Sequence, residues 1–422
     1  MNSRELLPPE VVELEDADPL LELNAHLEQA ARMLDLEYWI VQRLKHAERE
    51  ITVNLSMTRD DGEAITCTGY RVQHCTLRGP CVGPVLLSPE AQLAHLRVLA
   101  AQISLQCALL ELPMAGSAGA LVCDPEQLSE GQLRRLVKDY AMALRDCVGP
   151  YKDVLAPDGN EFAVAWMHQA LARAHGEVAP AAVVGKPAVL GGMAEAAGVA
   201  GVGVLALIEQ VLAEQARPLP GTRVAIQGLG AVGDSAARLL HEAGAKVVAV
   251  ADQSGGVFRN SGLNIPDLRT QAQRTGFVLG YPEAEAASNA EVLEAACDVL
   301  IAAAAARQIN QQNAPRIQAS LVVEAVHGAI TPAAEQILRG RGITVVPDML
   351  GTAATIVAWF VEWQHGIHFA APTISDLQAA LRTRLLDAWR AVRKQAGRDA
   401  VSLRAAAYVV ASARLAAAMR VL

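Results

Sequence analysis

A glycine-rich run in the middle of the chain carries the clearest chemical signal, Gly228-Leu229-Gly230-Ala231-Val232-Gly233. An apolar segment at 223–227 with the length of a buried strand precedes the run, and a helical pattern follows it. Between a strand and a helix, glycines at this spacing allow a tight turn, a close backbone approach to a pyrophosphate and close packing. The amides at the helix start would bind the phosphates. The run therefore predicts a dinucleotide site at Gly228, Gly230, Ala231, Val232 and Gly233.

Two carboxylates near this run bear on which dinucleotide binds, and on whether one binds at all. Asp252 ends the next apolar segment, at about the 20-residue offset of a ribose-binding acid. An acid at that place favours NAD over NADP. Asp234 follows the last glycine directly, where its charge suits the helix dipole but would repel a bound phosphate. A Rossmann fold that holds no dinucleotide therefore stays an open alternative.

The elements that must position this site alternate between strand and helix. Short apolar segments at 246–251, 299–302, 321–324 and 344–346 are separated by stretches long enough for helices, which predicts βα units and a parallel sheet. The alanine run 302–306 is interpreted as a close-packed junction between a strand and a helix. After Pro347 the pattern is helical to the end, and we expect those helices to return to the first domain.

The first part of the chain predicts a second α/β domain. Its predicted helices cover 19–50, 129–145 and 160–174, with a further helix that Ser88 caps. Alternating segments at 51–57 and 65–74 predict a pair of strands. The Gly/Ala/Ser-rich stretch 113–119 is interpreted as a loop, and residues 1–20 as an acidic leader.

Composition excludes several classes of protein. The 422 residues are 52% hydrophobic and carry a net charge of −9, which excludes a disordered chain and argues against nucleic-acid binding. The longest apolar stretch, 196–208, is shorter than the roughly 20 residues that cross a membrane. Seven cysteines without CxxC pairs or metal-ligand spacing predict reduced thiols, no metal site and a cytoplasmic protein.

Further short motifs occur along the chain in a fixed order. They are Gly69-Tyr70-Arg71-Val72-Gln73-His74, Arg78-Gly79-Pro80, Ala156-Pro157-Asp158, Gly185-Lys186-Pro187, Val322-Val323-Glu324, Val345-Val346-Pro347-Asp348 and Glu362-Trp363. Together with the glycine run, they resemble the glutamate dehydrogenase family, the Glu/Leu/Phe/Val dehydrogenases. The resemblance extends over about residues 20 to 420.

The resemblance implies a fold, a reaction and an assembly. The implied fold is α/β with two domains: a substrate and oligomerisation domain at 21–190 and a Rossmann domain at 191–355, with helices at 356–422 packing back on the first domain. The implied reaction is the reversible oxidative deamination of an L-amino acid, with hydride transfer to NAD(P). The implied assembly is a hexamer.

The residues that carry this reaction in the family are almost all replaced here. Val82 and Gln106 stand where lysines hold the distal and the α-carboxylate of the substrate. Ala118 replaces the lysine with a lowered pKa that activates the attacking water. Asp158, the proton-shuttling aspartate, is retained, whereas Trp359 replaces a small hydroxyl residue and would fill the pocket. Other family positions hold Ala200, His327, Thr352, Ala354 and Thr355.

The types of the replacing residues indicate selection rather than compositional drift. The chain contains six lysines and, of the 36 basic residues, the other thirty are arginines. A bias from lysine to arginine would have preserved the positive charge at the three lysine positions. All three are instead neutral, while Lys186 and Lys246 stand where the family has lysines outside the catalytic set.

Three functions follow as hypotheses. The favoured one is a non-catalytic regulatory or structural subunit, in a hexamer with a catalytic paralogue and with an amino acid as a candidate effector. The second is an active NAD-dependent amino-acid dehydrogenase with an altered, apolar substrate pocket. The third is a nucleotide-binding protein that uses only its Rossmann domain.

Overall fold

The computed structural model describes residues 18–58, 62–157, 161–176, 178–193 and 198–421, which fall into two compact units. The N-terminal unit combines residues 19–196 with 355–399 and 405 to the end. The Rossmann unit combines residues 197–354 with the short segment 400–404. The two-domain α/β class predicted from the sequence is confirmed, and most of the C-terminal helical region belongs to the N-terminal unit.

The N-terminal unit is built on a five-stranded sheet in the order β1-β2-β4-β3-β5. Strands β1, β2 and β4 pair antiparallel, while β3 runs parallel to both β4 and β5. In chain order, its elements before residue 197 are α1 (Pro19–Leu34), α2 (Tyr38–Lys45), β1 (Arg49–Thr58), β2 (Ala64–Gln73), β3 (Cys81–Leu87), α3 (Leu93–Leu109), β4 (Ala115–Leu121), α4 (Glu130–Ala143), β5 (Asp153–Pro157) and α5 (Glu161–His175).

The predicted loop at 113–119 is wrong, because most of it forms the central strand β4, buried along its whole length. Its small residues are required by packing. A Cβ on Gly116 would lie 2.1 Å from the Ala100 oxygen of α3, and one on Gly119 would lie 2.4 Å from the Tyr140 hydroxyl of α4. The composition that suggests a loop here is what lets two helices approach the sheet closely.

Two predicted helix boundaries are also wrong. The pattern over 19–50 is two helices, since the chain turns at Asp35 with φ 49° and β1 already begins at Arg49. The helix predicted to start at Ser88 starts at Leu93. Ser88 instead follows β3, which the sequence analysis missed, and accepts a hydrogen bond from the Glu90 amide at 3.2 Å.

A buried ion pair joins four strands of this sheet. The guanidinium of Arg71 on β2 donates to both carboxylate oxygens of Asp153 on β5, at 2.8 and 2.5 Å. It also donates to the Ser117 hydroxyl of β4 and to the Pro84 carbonyl of β3. A second buried pair links Lys186 Nζ to Glu362 Oε1 at 2.6 Å, within the same unit.

The Rossmann unit contains a seven-stranded sheet in the order β12-β11-β10-β6-β7-β8-β9. Its parallel part, β12 to β7, is the predicted one, while the antiparallel strands β8 and β9 at the edge were not predicted. Its elements are α6 (Val199–Glu214), β6 (Arg223–Gln227), α7 (Ala231–Glu242), β7 (Lys246–Asp252), β8 (Gly255–Phe258), α8 (Ile265–Thr275), β9 (Glu285–Ala287), α9 (Asn289–Leu293), β10 (Val299–Ala302), β11 (Leu321–Glu324), α10 (Pro332–Gly340), β12 (Thr344–Val346) and α11 (Asp348–Gly351).

Three long helices end the chain, α12 (Ala353–Ile367), α13 (Ile374–Asp399) and α14 (Leu403–Met419). Helix α14 is fastened within the N-terminal unit. Arg414 donates to the Leu109 carbonyl at 2.5 Å, and the ring of Tyr408 stacks on His26 with centroids 4.7 Å apart. In the described residues no single helix is long and apolar enough to span a membrane; α13 and α14 qualify only when counted together across a 109° bend.

Candidate functional site

The glycine-rich turn has the backbone geometry that phosphate binding needs. Gly228 adopts φ +99°, and a Cβ there would lie 2.6 Å from the Ala303 carbonyl group. A Cβ on Gly233 would lie 1.8 Å from the Gly228 oxygen, so helix α7 packs directly on the turn. Gly230 is the N-cap of α7 and offers no side-chain cap, and no described atom lies within 4 Å of its Cβ position. The start of α7 is therefore not capped by a side chain, and the open space beside Gly230 leaves room for a phosphate at the helix N-terminus.

The turn lies at the topological switch point of the sheet. Strand β6 leads into the turn, and its neighbours are β7 on one side and β10 on the other. Because the strand order reverses there, ligands of such sheets bind outside the carboxyl ends of these strands. The alanine run after β10 is not a junction to a helix, as predicted, but an irregular segment whose Ala303 contacts the turn.

Asp252 ends β7 beside the turn, and its carboxylate already holds the local backbone. One oxygen accepts from the Ser254 amide at 2.7 Å and from the Ser254 hydroxyl at 2.5 Å. The other accepts from the Val278 amide at 2.7 Å. A carboxylate has about four acceptor sites, so room for one ribose hydroxyl is left. The ribose role of Asp252 stays a prediction.

Asp234, whose negative charge would repel a bound phosphate, is paired with a cation of the same unit. Asp234 lies one residue beyond the last glycine of the turn and accepts two hydrogen bonds from Arg269 of α8, at 2.5 and 2.8 Å. The same hydrogen bonds raise the pKa of the Arg269 guanidinium. Ion pairing therefore offsets much of the repulsion that Asp234 would exert on an anion at α7.

Two of the three positions at which the resemblance implies lysines share one face of the N-terminal sheet. Val82 pairs with Gly116 across β3 and β4, and Ala118 is two residues further along β4, so their side chains point to the same side. Helix α3 packs on that side, since the Gly116 amide donates to the Ser104 hydroxyl at 2.9 Å. Gln106 lies on the same helix, and Val82, Gln106 and Ala118 are all fully buried.

Ala118 belongs to an apolar cluster rather than to a polar pocket. The buried members packed with it are Val72, Leu96, Ala100 and Ala120, none of which can donate or accept a proton. The remaining predicted residues lie elsewhere. Trp359 is a half-buried residue of α12, Ala200 lies on α6, and Asp158 lies outside the described residues. Among the residues that are described, no acidic, histidine or cysteine group could hold a metal ion.

The sequence analysis missed a buried charged cluster at the carboxyl end of β11. The guanidinium of Arg404 binds the carboxylate of Glu324, Glu335 Oε2 at 2.6 Å and Asp348 Oδ1 at 2.7 Å. His327 Nδ1 lies 3.6 Å from the other oxygen of Asp348. Two of these acids stand in recognised motifs, but nothing in the sequence indicates that Arg404 joins them.

The cluster holds more carboxylates than cations, and the pKa values of Glu324 and Asp348 shift in opposite directions. Burial raises the pKa of Glu324 to about 8, against the attraction of Arg404 and with the repulsion of Asp348 and Glu335. Burial also opposes the ionisation of Asp348, yet Arg404 and His327 hold the pKa of that carboxyl well below its ordinary value. Burial therefore favours the protonated form of Glu324, whereas Arg404 and His327 favour the charged form of Asp348.

This cluster predicts a pH-dependent stability. The ordinary pKa of Glu324 is 4.5 and the folded value is about 8, so the folded chain binds the extra proton across that interval. The contribution of Glu324 to the free energy of unfolding should therefore fall as pH rises from 5 to 8. Glu324→Gln should flatten this slope, measured by urea midpoints at a series of pH values. Glu283→Gln, in an exposed pair with Arg259, is the control. A slope unchanged in Glu324→Gln contradicts the assignment.

The apolar surroundings of Ala118 predict the cost in stability of placing a lysine there. Ala118→Met should destabilise the chain by about 1–3 kcal/mol through overpacking. Ala118→Lys should cost clearly more, because a charged or forcibly neutral amine is buried without a partner. Denaturant midpoints of the two variants provide the comparison. If Ala118→Lys is as stable as Ala118→Met, the position opens to a polar pocket and our interpretation of the site is wrong.

Comparisons with known proteins identify the family. Residues 191–422 match the family described as Glutamate/Leucine/Phenylalanine/Valine dehydrogenase, and residues 47–173 match its dimerisation domain. Glutamate dehydrogenase B of Halobacterium salinarum is 35% identical over 97% of this chain and 96% of its own length. The catabolic NAD-specific glutamate dehydrogenase RocG of Bacillus subtilis is 33% identical over the same shares, 97% and 96%.

A solved structure agrees with the whole fold. The hetero-hexameric glutamate dehydrogenase from Thermus thermophilus, in its Leu-bound form, superposes with a TM-score of 0.90 at 32% identity. The match covers 98% of this chain and 98% of that one. With its motifs, its two α/β units and these relatives in agreement, the chain belongs to the Glu/Leu/Phe/Val dehydrogenase family.

Proposed function

We propose that this chain is a non-catalytic subunit of a glutamate dehydrogenase hexamer, with a regulatory or structural role beside a catalytic paralogue. One observation carries the proposal. Val82, Gln106 and Ala118 are neutral and fully buried where the family's reaction needs three cationic or basic groups. The proposal concerns amino-acid metabolism in the cytoplasm, as the family and the reduced cysteines suggest.

The chemical deficit is large. Loss of the general base alone removes about 10²–10⁴-fold of rate. Each lost charge-assisted hydrogen bond to a substrate carboxylate removes a further ~1.5–3 kcal/mol. Asp158 is the one catalytic residue retained, and it has no lysine at the three family positions to act with. With these groups absent, the described chemistry has no cation to bind the substrate carboxylates and no lysine to activate the attacking water.

The scaffold, by contrast, is intact, which favours a retained assembly role. The chain retains the buried pairs Arg71–Asp153 and Lys186–Glu362, of which Arg71, Lys186 and Glu362 lie in motifs that the chain shares with the family. The Thermus relative is described as hetero-hexameric and as binding leucine. That description supports a mixed hexamer here, with an amino acid as the candidate effector.

We further propose that the chain still binds NAD, which supplies a hydride acceptor when bound. The open α7 amides at Gly230, Ala231 and Val232 would hold the pyrophosphate, and Asp252 would accept from a ribose hydroxyl. Relatives named NAD-specific support NAD over NADP. This retained site is the observation that favours the second function, an active dehydrogenase whose pocket, with Val82 and Trp359, takes an apolar amino acid.

An activity screen separates the two functions. The purified chain is assayed with each standard L-amino acid and with NAD or NADP, following absorbance of the reduced cofactor. We expect no turnover, since the base and the carboxylate anchors are absent. Calorimetry with NAD on the same sample is the control for an intact nucleotide site. Turnover of any amino acid would overturn the non-catalytic role and establish the second function.

Co-expression tests the assembly role. The chain is produced with a family member from the same genome that keeps all three lysines, each with a different affinity tag. We expect sequential purification on both tags to yield one hexamer-sized species containing both chains and active on glutamate. Two separate homo-oligomers would contradict a structural role. A mixed species with the activity of the catalytic chain alone would contradict a regulatory role.

A further inference from the structure

A cavity of about 830 Å³ opens within the N-terminal unit, apart from the lysine positions and the glycine-rich turn. Its wall is formed by the start of β1, the end of β2, the loop between α4 and β5, and α12. The residues used below are Arg49, Asp146, Cys147, Tyr151, Lys152 and Trp363. Cavities of this size hold small-molecule ligands in other proteins.

The cavity offers cations that are not used elsewhere. The Arg49 guanidinium forms no hydrogen bond or ion pair within the described part of the chain. Lys152 Nζ donates once, to the Asp146 carbonyl at 3.0 Å, which leaves two of its N–H groups. The neighbouring acid Glu48 is already committed, because it accepts from the Thr76 amide and hydroxyl and from Arg43. The available charge therefore suits an anion.

An aromatic surface is fixed beside these cations. Trp363 donates from its indole nitrogen to the Pro150 carbonyl at 2.7 Å, so its only polar group is satisfied and its ring is held in place. The Tyr151 ring is 72% exposed on the same wall. Asp146 has a 91% exposed carboxylate whose nearest cation, Arg145, lies 4.0 Å away.

We propose that this cavity binds a small carboxylate with an apolar body, such as an apolar α-amino acid or its 2-oxo acid. Arg49 and Lys152 bind the carboxylate, since a guanidinium and an ammonium are its strongest donors. Trp363 and Tyr151 cover the apolar body. In an amino acid, the ammonium group faces Asp146. The effect of such a ligand on catalysis rests on the regulatory role proposed above, whereas its binding does not.

Two cysteines make binding measurable on the intact chain. Cys147 lines the cavity and is half-buried, Cys297 of the Rossmann unit is also half-buried, and the other five cysteines are buried. Burial raises the pKa of the Cys147 thiol, so maleimide labelling is run at alkaline pH and read by peptide mass spectrometry. L-Leucine and 4-methyl-2-oxopentanoate should slow labelling of Cys147 several-fold and leave Cys297 unchanged. 3-Methylbutylamine, which lacks the carboxylate, should not.

Variants assign the contacts. Arg49→Gln should abolish protection by both carboxylates, and Asp146→Asn should weaken protection by leucine only. Arg97→Gln, which breaks an exposed pair with Glu50 outside the cavity, is the matched control. Cys81 and Cys107, which are buried in the N-terminal unit, should stay unlabelled in each variant and so show that this unit is folded. The proposal is wrong if the amine protects Cys147 as well as the carboxylates do, or if neither carboxylate protects it. It is also wrong if Arg49→Gln leaves the protection of Cys147 unchanged. So would a Cys147 that does not label without ligand, because a subunit contact then fills the cavity.

The coupling is measured separately, in the mixed hexamer. If leucine changes glutamate turnover and Arg49→Gln removes that change, the cavity is the effector site. If the ligand protects Cys147 but no mixed hexamer forms, binding stands and the subunit role alone fails. If the hexamer forms and leucine protects nothing, the role stands and this cavity is not its site.

Discussion

The ion pair between Arg71 and Asp153 is the constraint on which the N-terminal unit depends. Both side chains are completely removed from solvent, and the guanidinium contacts β2, β3, β4 and β5 at once. Desolvating two charges costs several kcal/mol per ion, and only good geometry with further hydrogen bonds recovers it. Ser117, Gln73 and the Pro84 carbonyl provide those bonds. Since Val82 and Ala118 lie on β3 and β4, this pair also fixes where the altered positions lie.

Charged groups have had two different fates in this chain. Those that hold the scaffold persist, such as Arg71 and Lys186, because removing one partner leaves an uncompensated charge in the interior. At the positions where the resemblance implies substrate-binding lysines, Val82, Gln106 and Ala118 are neutral. The packing around Ala118 is apolar, and burial of these side chains contributes to stability. This arrangement fits the non-catalytic role that we propose, in which the buried scaffold charges are retained and the substrate-binding charges are not.

The Rossmann unit could largely be predicted from sequence, because buried parallel strands are continuous apolar runs and the glycine spacing determines the turn. Four predicted strands, β6, β10, β11 and β12, have the observed boundaries. Strand β4 could not be recognised, because its glycines are set by contacts with Ala100 and Tyr140, far away in sequence. Ion pairs such as Asp234–Arg269 and Arg404–Glu324 could not be predicted either, because the partners are distant in sequence and charge pairing leaves no periodic pattern.

Arg404 has a consequence for how this family can be divided. After residue 198 the chain passes between the units at 354/355, 399/400 and 404/405, so neither unit is one continuous stretch. A Rossmann fragment cut after residue 354 would contain the whole seven-stranded sheet but would bury Glu324, Glu335 and Asp348 without their arginine. The Rossmann unit therefore cannot be transferred as one continuous segment. Exchange of this unit with that of a relative would have to include the five-residue segment 400–404.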